Sequence, residues 1–307
     1  MDQIAFVFAG QGAQYPGMGR SLYERNAASA AVLDRLEQLR PGTLDQCFSA
    51  KPEDLARTDI TQPCMFAVEL AAAAALQAIP CQCAAGFSLG EIAALTYTGA
   101  VTLEDGFHLV CRRGELMHQA ASQSDCGMGA VVKLEDATVE YLCAGYEHIY
   151  PVNYNCPGQV AVAGTREELK LLADDVKQAG GRLIPLKVSG GFHSPYMDPA
   201  SAEFGAILAD TPLQKPTLPA YANRTAEPYG ENVRELLTQQ INHPVRWKET
   251  LRHLNEQGFD TFVECGAGMV LCKLVRKNLP ECRSFAVDSL AGLAKLQEEG
   301  MLCCSAT

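Results

Sequence analysis

Residues 81–95 read CQCAAGFSLGEIAAL, and this stretch decides how the chain folds. Its apolar start, 81–85, predicts a short buried strand, and residues 89–95 predict a helix. Between them, Gly86 and Gly90 enclose Ser88 in the pattern G-x-S-x-G, which is typical of a nucleophile elbow that projects a serine away from a sheet. A capped helix start without chemistry is the alternative. The segment thus predicts a strand–turn–helix unit and a candidate nucleophile, Ser88.

Elements on both sides of this unit extend the same pattern. Residues 4–8 form a short apolar run closed by glycines, as a first buried strand would. Residues 65–78 are rich in alanine and leucine, and Thr102 caps a helix that we expect to run to about residue 123. A further short strand is predicted at 261–264. Strands alternating with helices indicate an α/β domain with a mostly parallel sheet.

The middle of the chain has a different order of elements. Strand, helix, two strands around the turn Pro157-Gly158, helix and strand follow one another there, which is the split βαβ pattern of a ferredoxin-like unit. The predicted elements are 129–134, 136–144, 152–155, 159–163, 166–179 and 182–188. We therefore expect a catalytic domain made of residues 1–127 and 189–307, with a small inserted domain at 128–188.

Composition excludes several classes of protein. The chain has 307 residues, of which 48% are hydrophobic, and its net charge of -11 argues against a broad nucleic-acid-binding surface. Its thirteen cysteines include no CxxC pair, so we expect free thiols and no metal site. The start lacks the positive region of a signal peptide, and no apolar run reaches membrane-spanning length. A cytoplasmic protein that does not bind membranes is expected.

His193 is the strongest candidate for the base that a nucleophilic serine needs. It lies in the loop SGGFHSPYM (189–197), directly after a predicted strand, and loops at strand ends often carry functional residues. His108, His118 and His253 lie on predicted helices and His148 lies near a turn, without such a setting. An exposed loop histidine remains the alternative interpretation, and no acid in the sequence stands out as a third member of a triad.

Arg113 is predicted to lie within an apolar helix face. Leu109, Leu116, Met117 and Ala120 share that face at helical spacing. A buried guanidinium is costly unless it is paired. Its partner could be a structural carboxylate or a substrate carboxylate, which an arginine can bind with two parallel hydrogen bonds.

Residues 8–19, FAGQGAQYPGMG, form a glycine-rich loop after the first strand. No G-K-[ST] follows, and the dinucleotide pattern G-x-G-x-x-G is not matched. The N–H groups of Gln11 and Leu89 are candidates for the two donors of an oxyanion hole. A plain glycine-rich turn is the alternative for the loop.

Taken together, these segments resemble the acyltransferase family of fatty acid and polyketide synthesis, to which the malonyl-CoA:acyl carrier protein transacylases belong. The resemblance covers nearly the whole chain and rests on several ordered motifs. They are FAGQGAQYPGMG (8–19), GFSLGE (86–91), CRRGELM (111–117), VNYNCPGQVAVAG (152–164), SGGFHSPYM (189–197) and NHPVRW (242–247). The family fold implied is an α/β-hydrolase-like domain with a ferredoxin-like insert.

The resemblance also implies roles for individual residues. Ser88 would carry the acyl group, His193 would activate it, and Arg113 would bind the malonyl carboxylate. A backbone carbonyl of the 242–247 segment, by position that of Arg246, would orient the histidine. The remaining implied site residues are Gln11, Leu89, Met117, Asn155 and Phe192. Phe87 departs from the histidine usual before the serine, whereas a bulky Phe192 resembles the malonyl-selecting form.

The function implied is ping-pong transfer of a malonyl group from malonyl-CoA to the phosphopantetheine thiol of acyl carrier protein. The CoA thioester is a substrate, no cofactor is expected, and we expect a monomer. An acyl hydrolase and a non-catalytic carrier-binding subunit are the alternatives. Candidate docking residues for the acidic carrier are Lys177, Arg182, Lys187, Lys273, Arg276 and Lys277. Ordinary solvated surface charge explains them equally well.

Overall fold

The computed structural model describes residues 3–301, which form nine strands and fourteen α-helices. The strands are β1 (Ile4–Phe8), β2 (Cys83–Gly86), β3 (Cys126–Val132), β4 (Ile149–Cys156), β5 (Gln159–Thr165), β6 (Arg182–Pro185), β7 (Ala220–Tyr221), β8 (Thr261–Cys265) and β9 (Arg283–Val287). The helices are α1 (Arg20–Arg25), α2 (Ala27–Leu39), α3 (Thr43–Ser49), α4 (Pro52–Leu55), α5 (Thr58–Ala75), α6 (Gly90–Tyr97), α7 (Leu103–Ser122), α8 (Asp136–Cys143), α9 (Arg166–Gln178), α10 (Asp198–Asp210), α11 (Val233–Gln239), α12 (Trp247–Glu256), α13 (Val270–Asn278) and α14 (Leu290–Glu298).

A five-stranded parallel sheet forms the centre of the large domain, in the order β7-β2-β1-β8-β9. Strand β1 is buried along its whole length, because helices cover both faces of the sheet. The first helices of the chain and α5, α6, α7, α12 and α13 supply most of this cover. The predicted α/β fold with a parallel sheet is confirmed.

A separate antiparallel sheet has the order β4-β5-β3-β6. Its elements follow one another as strand, helix, two strands, helix and strand, with α8 and α9 packed over a small core of their own. This is the arrangement predicted for a ferredoxin-like unit. Its strands lie between Cys126 and Pro185, whereas the inserted domain was expected at residues 128–188.

The small sheet is joined to the large domain along β4. The backbone N–H of Val245 donates to the Val152 carbonyl at 2.8 Å, and the N–H of Tyr154 donates to the Val245 carbonyl at 3.0 Å. Lys248 of α12 also pairs with Asp136 of α8. The opposite edge of the sheet, β6, is mostly exposed. One edge of the small sheet is therefore fixed to the large domain.

Helix α5 differs from its predicted limits of 65–78. It begins at Thr58, seven residues before the predicted start, and carries Pro63 within its second turn. The proline breaks only one backbone hydrogen bond, and dense packing of the helix offsets that loss. The helix ends at Ala75, three residues early, since Ile79 precedes Pro80 and a residue in that position avoids helical geometry.

Within residues 3–301, no helix combines the length and the apolar character needed to span a bilayer. The same residues contain no group of three or more histidine, cysteine or acidic side chains arranged to hold a metal ion. The adjacent Cys303 and Cys304 lie outside the described residues.

Candidate active site

Ser88 lies in a tight turn between β2 and α6, at the carboxyl end of the parallel sheet. Its φ of 56° falls in the left-handed region that L-residues rarely occupy. The flanking glycines allow the turn to close: a Cβ on Gly86 would come 1.9 Å from the Gly90 carbonyl oxygen, and one on Gly90 would come 2.2 Å from the Phe8 oxygen. The turn presents the serine hydroxyl to a buried cavity, as the G-x-S-x-G pattern predicts.

His193 contacts this hydroxyl from the loop before α10. Its Nε2 lies 2.8 Å from the Ser88 Oγ, and its Nδ1 lies 2.9 Å from the backbone carbonyl oxygen of Gln240. A carbonyl oxygen only accepts, so Nδ1 carries the proton and Nε2 is free to accept from the hydroxyl. A serine and a correctly oriented base are therefore in place without a carboxylate.

The expectation that Arg246 supplies the orienting carbonyl is wrong. Gln240 supplies it, at the residue that caps the end of α11. Arg246 caps the start of α12 instead, and its carbonyl accepts from the N–H of Thr250 at 2.9 Å, within the first turn of that helix. The first-turn carbonyls of a helix are used by the helix itself, whereas those at its end are free for other partners.

The imidazole of His193 is held neutral. Burial lowers its pKa to about 3, and the positive charge of Arg113 contributes in the same direction. Only 3% of the residue is exposed. A neutral imidazole is the form that can accept the serine proton, so the environment keeps this residue ready to act as a base.

Arg113 lies fully buried in α7, beside the serine. Its Nη2 donates to the Ser88 Oγ at 3.1 Å and to the Gln240 Oε1 at 2.7 Å, and its Nη1 donates to the Gln62 Oε1 at 2.8 Å. Its Nε has no partner, and no residue within 3–301 forms an ion pair with the guanidinium. Burial lowers the Arg113 pKa to about 10, while the charge of Glu91 opposes this change. The site thus holds a buried cation that lacks a contacting anion.

Two backbone N–H groups face the same cavity. They belong to Gln11, after β1, and to Leu89, the residue after Ser88. In the part of the chain that the structure describes, neither N–H donates to a protein acceptor. Leu89 is also the N-cap residue of α6, where the helix dipole favours negative charge. Both groups are available to a developing oxyanion, as an oxyanion hole requires.

The cavity has a volume of about 90 Å³ and lies between the two sheets. The large domain and the small sheet both contribute to its walls. The lining residues are Gln11, Gln62, Phe87, Ser88, Leu89, Arg113, Met117, Met128, Asn153, Leu186, Val188, Phe192 and His193. The expected residues Met117 and Phe192 are among them.

Asn155 and Phe87 differ in their positions relative to this cavity. Asn155 was expected near the site, but it does not line the cavity; Asn153, two residues earlier in β4, does. The backbone of Asn155 is used elsewhere, since its carbonyl accepts from the Asn278 side chain at 3.0 Å.

Phe87 places its ring edge-on against Trp247, with ring centroids 5.6 Å apart. The unusual side chain before the serine therefore lines the cavity and also forms an aromatic contact with Trp247.

Several residues that complete the site were not predicted from the sequence. Gln240 contacts the backbone or side chains of Ser88, His193 and Arg113, and Gln62 contacts Arg113. Asn223 holds the backbone of the elbow. These residues lie in no short motif and reach the site only through long-range folding. What distinguishes them is that a polar amide side chain is buried. Neighbouring residues in the sequence do not show whether such a side chain is buried.

Comparison with known proteins gives a consistent result. The family model described as "Acyl transferase domain" matches residues 5–304. The chain is 32% identical to the malonyl CoA-acyl carrier protein transacylase of Bacillus subtilis, over 94% of both chains. It is 38% identical to the polyketide biosynthesis protein ThaF of Burkholderia thailandensis, over 90% of this chain and 24% of that protein.

Two solved structures are also similar. The malonyl CoA-acyl carrier protein transacylase of Clostridium perfringens superposes with a TM-score of 0.93 at 32% identity, covering 97% of this chain and 96% of that one. A malonyl-transacylase solved with its type II acyl carrier protein, AntF, gives a TM-score of 0.93 at 29% identity, covering 97% and 100% of the two chains.

Proposed function

This chain belongs to the acyltransferase family, and on that basis we propose that it transfers a malonyl group from malonyl-CoA to the phosphopantetheine thiol of an acyl carrier protein. The single observation that carries the proposal is the position of Arg113. Its buried guanidinium lacks an ion-pair partner within the described chain and lies 3.1 Å from the Ser88 hydroxyl. An acyl group that ends in a carboxylate would supply the missing anion at the correct distance from the nucleophile.

The first half of the reaction loads the enzyme. Ser88 Oγ attacks the thioester carbon while His193 Nε2 takes its proton, across the 2.8 Å contact between the two atoms. The new C–O bond leaves negative charge on the thioester oxygen, which the N–H groups of Gln11 and Leu89 stabilise. The C–S bond then breaks, and His193 returns the proton to the CoA thiolate. The products are a malonyl-serine ester and free CoA.

The second half reverses these roles. The carrier thiol gives its proton to His193 and attacks the Ser88 ester, forming a C–S bond. The same two N–H groups hold the second oxyanion. The C–O bond breaks, and the proton passes from His193 to the Ser88 oxygen. Atoms and protons balance across the cycle, and the CoA thioester enters it as a substrate.

Selectivity follows from the charge of Arg113. An acetyl group has no carboxylate, so it would leave the guanidinium buried without an anion, which is unfavourable. A malonyl carboxylate would pair with the guanidinium and offset this cost. Met117 and Phe192 narrow the cavity beside it. The ring of Phe192 would crowd an α-methyl group, and we propose that it disfavours branched acyl units.

The acyl carrier protein is the proposed protein partner. All six basic residues proposed for docking are exposed: Lys177, Arg182, Lys187, Lys273, Arg276 and Lys277. Exposure leaves them available to an acidic carrier, although the Arg276 and Lys277 side chains also contact Ser284 and Gln159. We propose that the chain acts as a monomer in the cytoplasm.

The proposal is tested by intact mass spectrometry after mixing the protein with malonyl-CoA. We expect one malonyl adduct on the parent chain and on Ser122→Ala, a matched variant at an exposed serine of α7. Ser88→Ala should form none. Adding holo acyl carrier protein should move the adduct to the carrier faster than water removes it. A malonyl adduct on Ser88→Ala would refute the mechanism, and faster release to water would favour an acyl hydrolase.

A further inference from the structure

The nucleophile elbow is held in an unfavourable backbone conformation. Ser88 has a φ of 56°, and a residue with a Cβ occupies this region only when its surroundings enforce it. The flanking glycines remove clashes, but they supply no force that keeps the turn closed. Some other contact must hold Ser88 in place.

One side chain spans the turn. The Oδ1 of Asn223 accepts from the Ser88 N–H at 2.7 Å, and its Nδ2 donates to the Gly86 carbonyl at 2.5 Å. These two backbone groups lie on either side of Phe87. The amide therefore connects the end of β2 to the nucleophile with two hydrogen bonds of complementary direction, which also fixes which end of the amide faces each group.

Asn223 is itself fixed by a buried network. Its N–H donates to the Glu91 Oε1 at 3.0 Å, and the Tyr229 hydroxyl donates to the same oxygen. Its carbonyl accepts from the Arg246 N–H at 2.9 Å. Asn223 and Glu91 are almost fully buried, with 2% and 1% exposed. Since Glu91 belongs to the helix that begins at the elbow, the network links both sides of the turn.

Gln240 also contacts the elbow, through its Nε2 and the Ser88 carbonyl at 2.5 Å. However, Gln240 contacts Arg113 and His193 as well, so its loss would disturb the base and the cation together. Asn223 bonds to neither of those side chains. Its contacts with the site are limited to the elbow backbone, which makes its contribution separable.

We propose that Asn223 is a positioning residue, which holds Ser88 in its left-handed conformation and thereby aims the hydroxyl at His193. The proposal rests on the proposed function for its role in acyl transfer. Without Asn223, the turn relaxes and moves the Oγ away from Nε2. Arg113 and the cavity remain, so binding of the acyl donor is retained while its reaction slows.

Two variants test this role. Asn223→Ala removes both hydrogen bonds. Asn223→Leu keeps the approximate size of the side chain but can neither accept from the Ser88 N–H nor donate to the Gly86 carbonyl. The matched control is Asn278→Ala, because Asn278 also bonds two backbone carbonyls, at 3.0 and 2.9 Å, far from the elbow. It reproduces the loss of a half-buried amide with two carbonyl partners without touching the turn.

Two readouts separate positioning from stability. The first is the rate at which a fluorophosphonate labels Ser88, which needs no acyl substrate. The second is kcat and KM for malonyl loading. We expect labelling and kcat to fall by about 100-fold in Asn223→Ala and at least about tenfold in Asn223→Leu, with KM nearly unchanged. Asn278→Ala should keep parental rates, and thermal unfolding identifies any variant that fails to fold.

The outcomes are distinguishable from those of the proposed function. Parental labelling rates in a folded Asn223→Ala or Asn223→Leu would overturn the positioning role, as would a loss confined to KM. If the parent chain is labelled by fluorophosphonate but loads no malonyl group, the proposed function fails. The labelling series still decides the role of Asn223 in that case.

Discussion

Replacement of Arg113 by alanine tests how the site selects its acyl group. The change removes a fully buried guanidinium whose partners are the Ser88 hydroxyl and two side-chain amide oxygens. The bond to the hydroxyl is lost for every substrate. The bond to a substrate carboxylate is lost only for malonyl-type donors. The ratio of malonyl to acetyl loading therefore isolates recognition of the carboxylate.

The size of the effect follows from the cost of burial. Burial lowers the Arg113 pKa from its ordinary value to about 10, which corresponds to a cost of about 3 kcal/mol for the charged form. A carboxylate that pairs with the guanidinium can recover at most that amount. Since each 1.4 kcal/mol is tenfold, we expect the malonyl-to-acetyl ratio of kcat/KM to fall on the order of 100-fold in Arg113→Ala.

The assay measures loading of each acyl group from its CoA thioester by rapid quenching and intact mass spectrometry. Arg112→Ala is the matched control, because Arg112 is the next residue of the same helix and pairs with Glu115 at the surface. It should leave the ratio unchanged. Equal losses for malonyl and acetyl groups in Arg113→Ala would refute the reasoning, since the arginine would then act only on the serine.

Three further predictions concern pH and packing. The His193 pKa of about 3 lies below that of a free imidazole, so fluorophosphonate labelling of Ser88 should stay flat from about pH 5 to pH 8; an inflection near 6.5 would contradict it. Burial raises the Glu91 pKa to about 7, and a raised acid pKa means stability lost as pH rises through that value. In Glu91→Gln, which cannot ionise, the free energy of unfolding by urea should exceed that of the parent by about 3 kcal/mol at pH 8 and by less than about 1 kcal/mol at pH 5. An equal difference at both pH values would contradict this cause. Gly86→Ala should cost about 3 kcal/mol or more, since the added Cβ would lie 1.9 Å from a backbone oxygen. Gly127→Ala should be tolerated in the same unfolding experiment, because its Cβ would lie 3.8 Å from the Leu169 side chain.

Local patterns predicted the parts of the fold that depend on neighbours in sequence. The strand and helix around Ser88 follow from an apolar run and two glycines, and Thr102 caps α7 by accepting from the Asp105 N–H. The apolar face of that helix also predicted that Arg113 is buried. In each case the decisive contacts lie within a few residues, so the sequence shows them directly.

Long-range contacts could not be predicted in the same way. Asn223 reaches Ser88 across 135 residues, and Gln240 reaches it across 152. Position in a motif located the segment that follows α11, but it selected Arg246 instead of Gln240. Which carbonyl faces His193 depends on where one helix ends and the next begins, and element limits are the least certain part of a sequence prediction.

The join between Val245 and β4 has a consequence for how substrates enter. These hydrogen bonds fix one edge of the small sheet to the large domain, whereas the opposite edge carries no such bonds among the described residues. Any widening of the cleft that keeps these bonds must pivot about the β4 edge, so the gap grows fastest beside Leu186 and Val188, which follow β6. Val245 lies five residues after Gln240, so the pivot sits close to the carbonyl that orients His193. The wall of the cavity on the β4 side is therefore held at a fixed position beside the base.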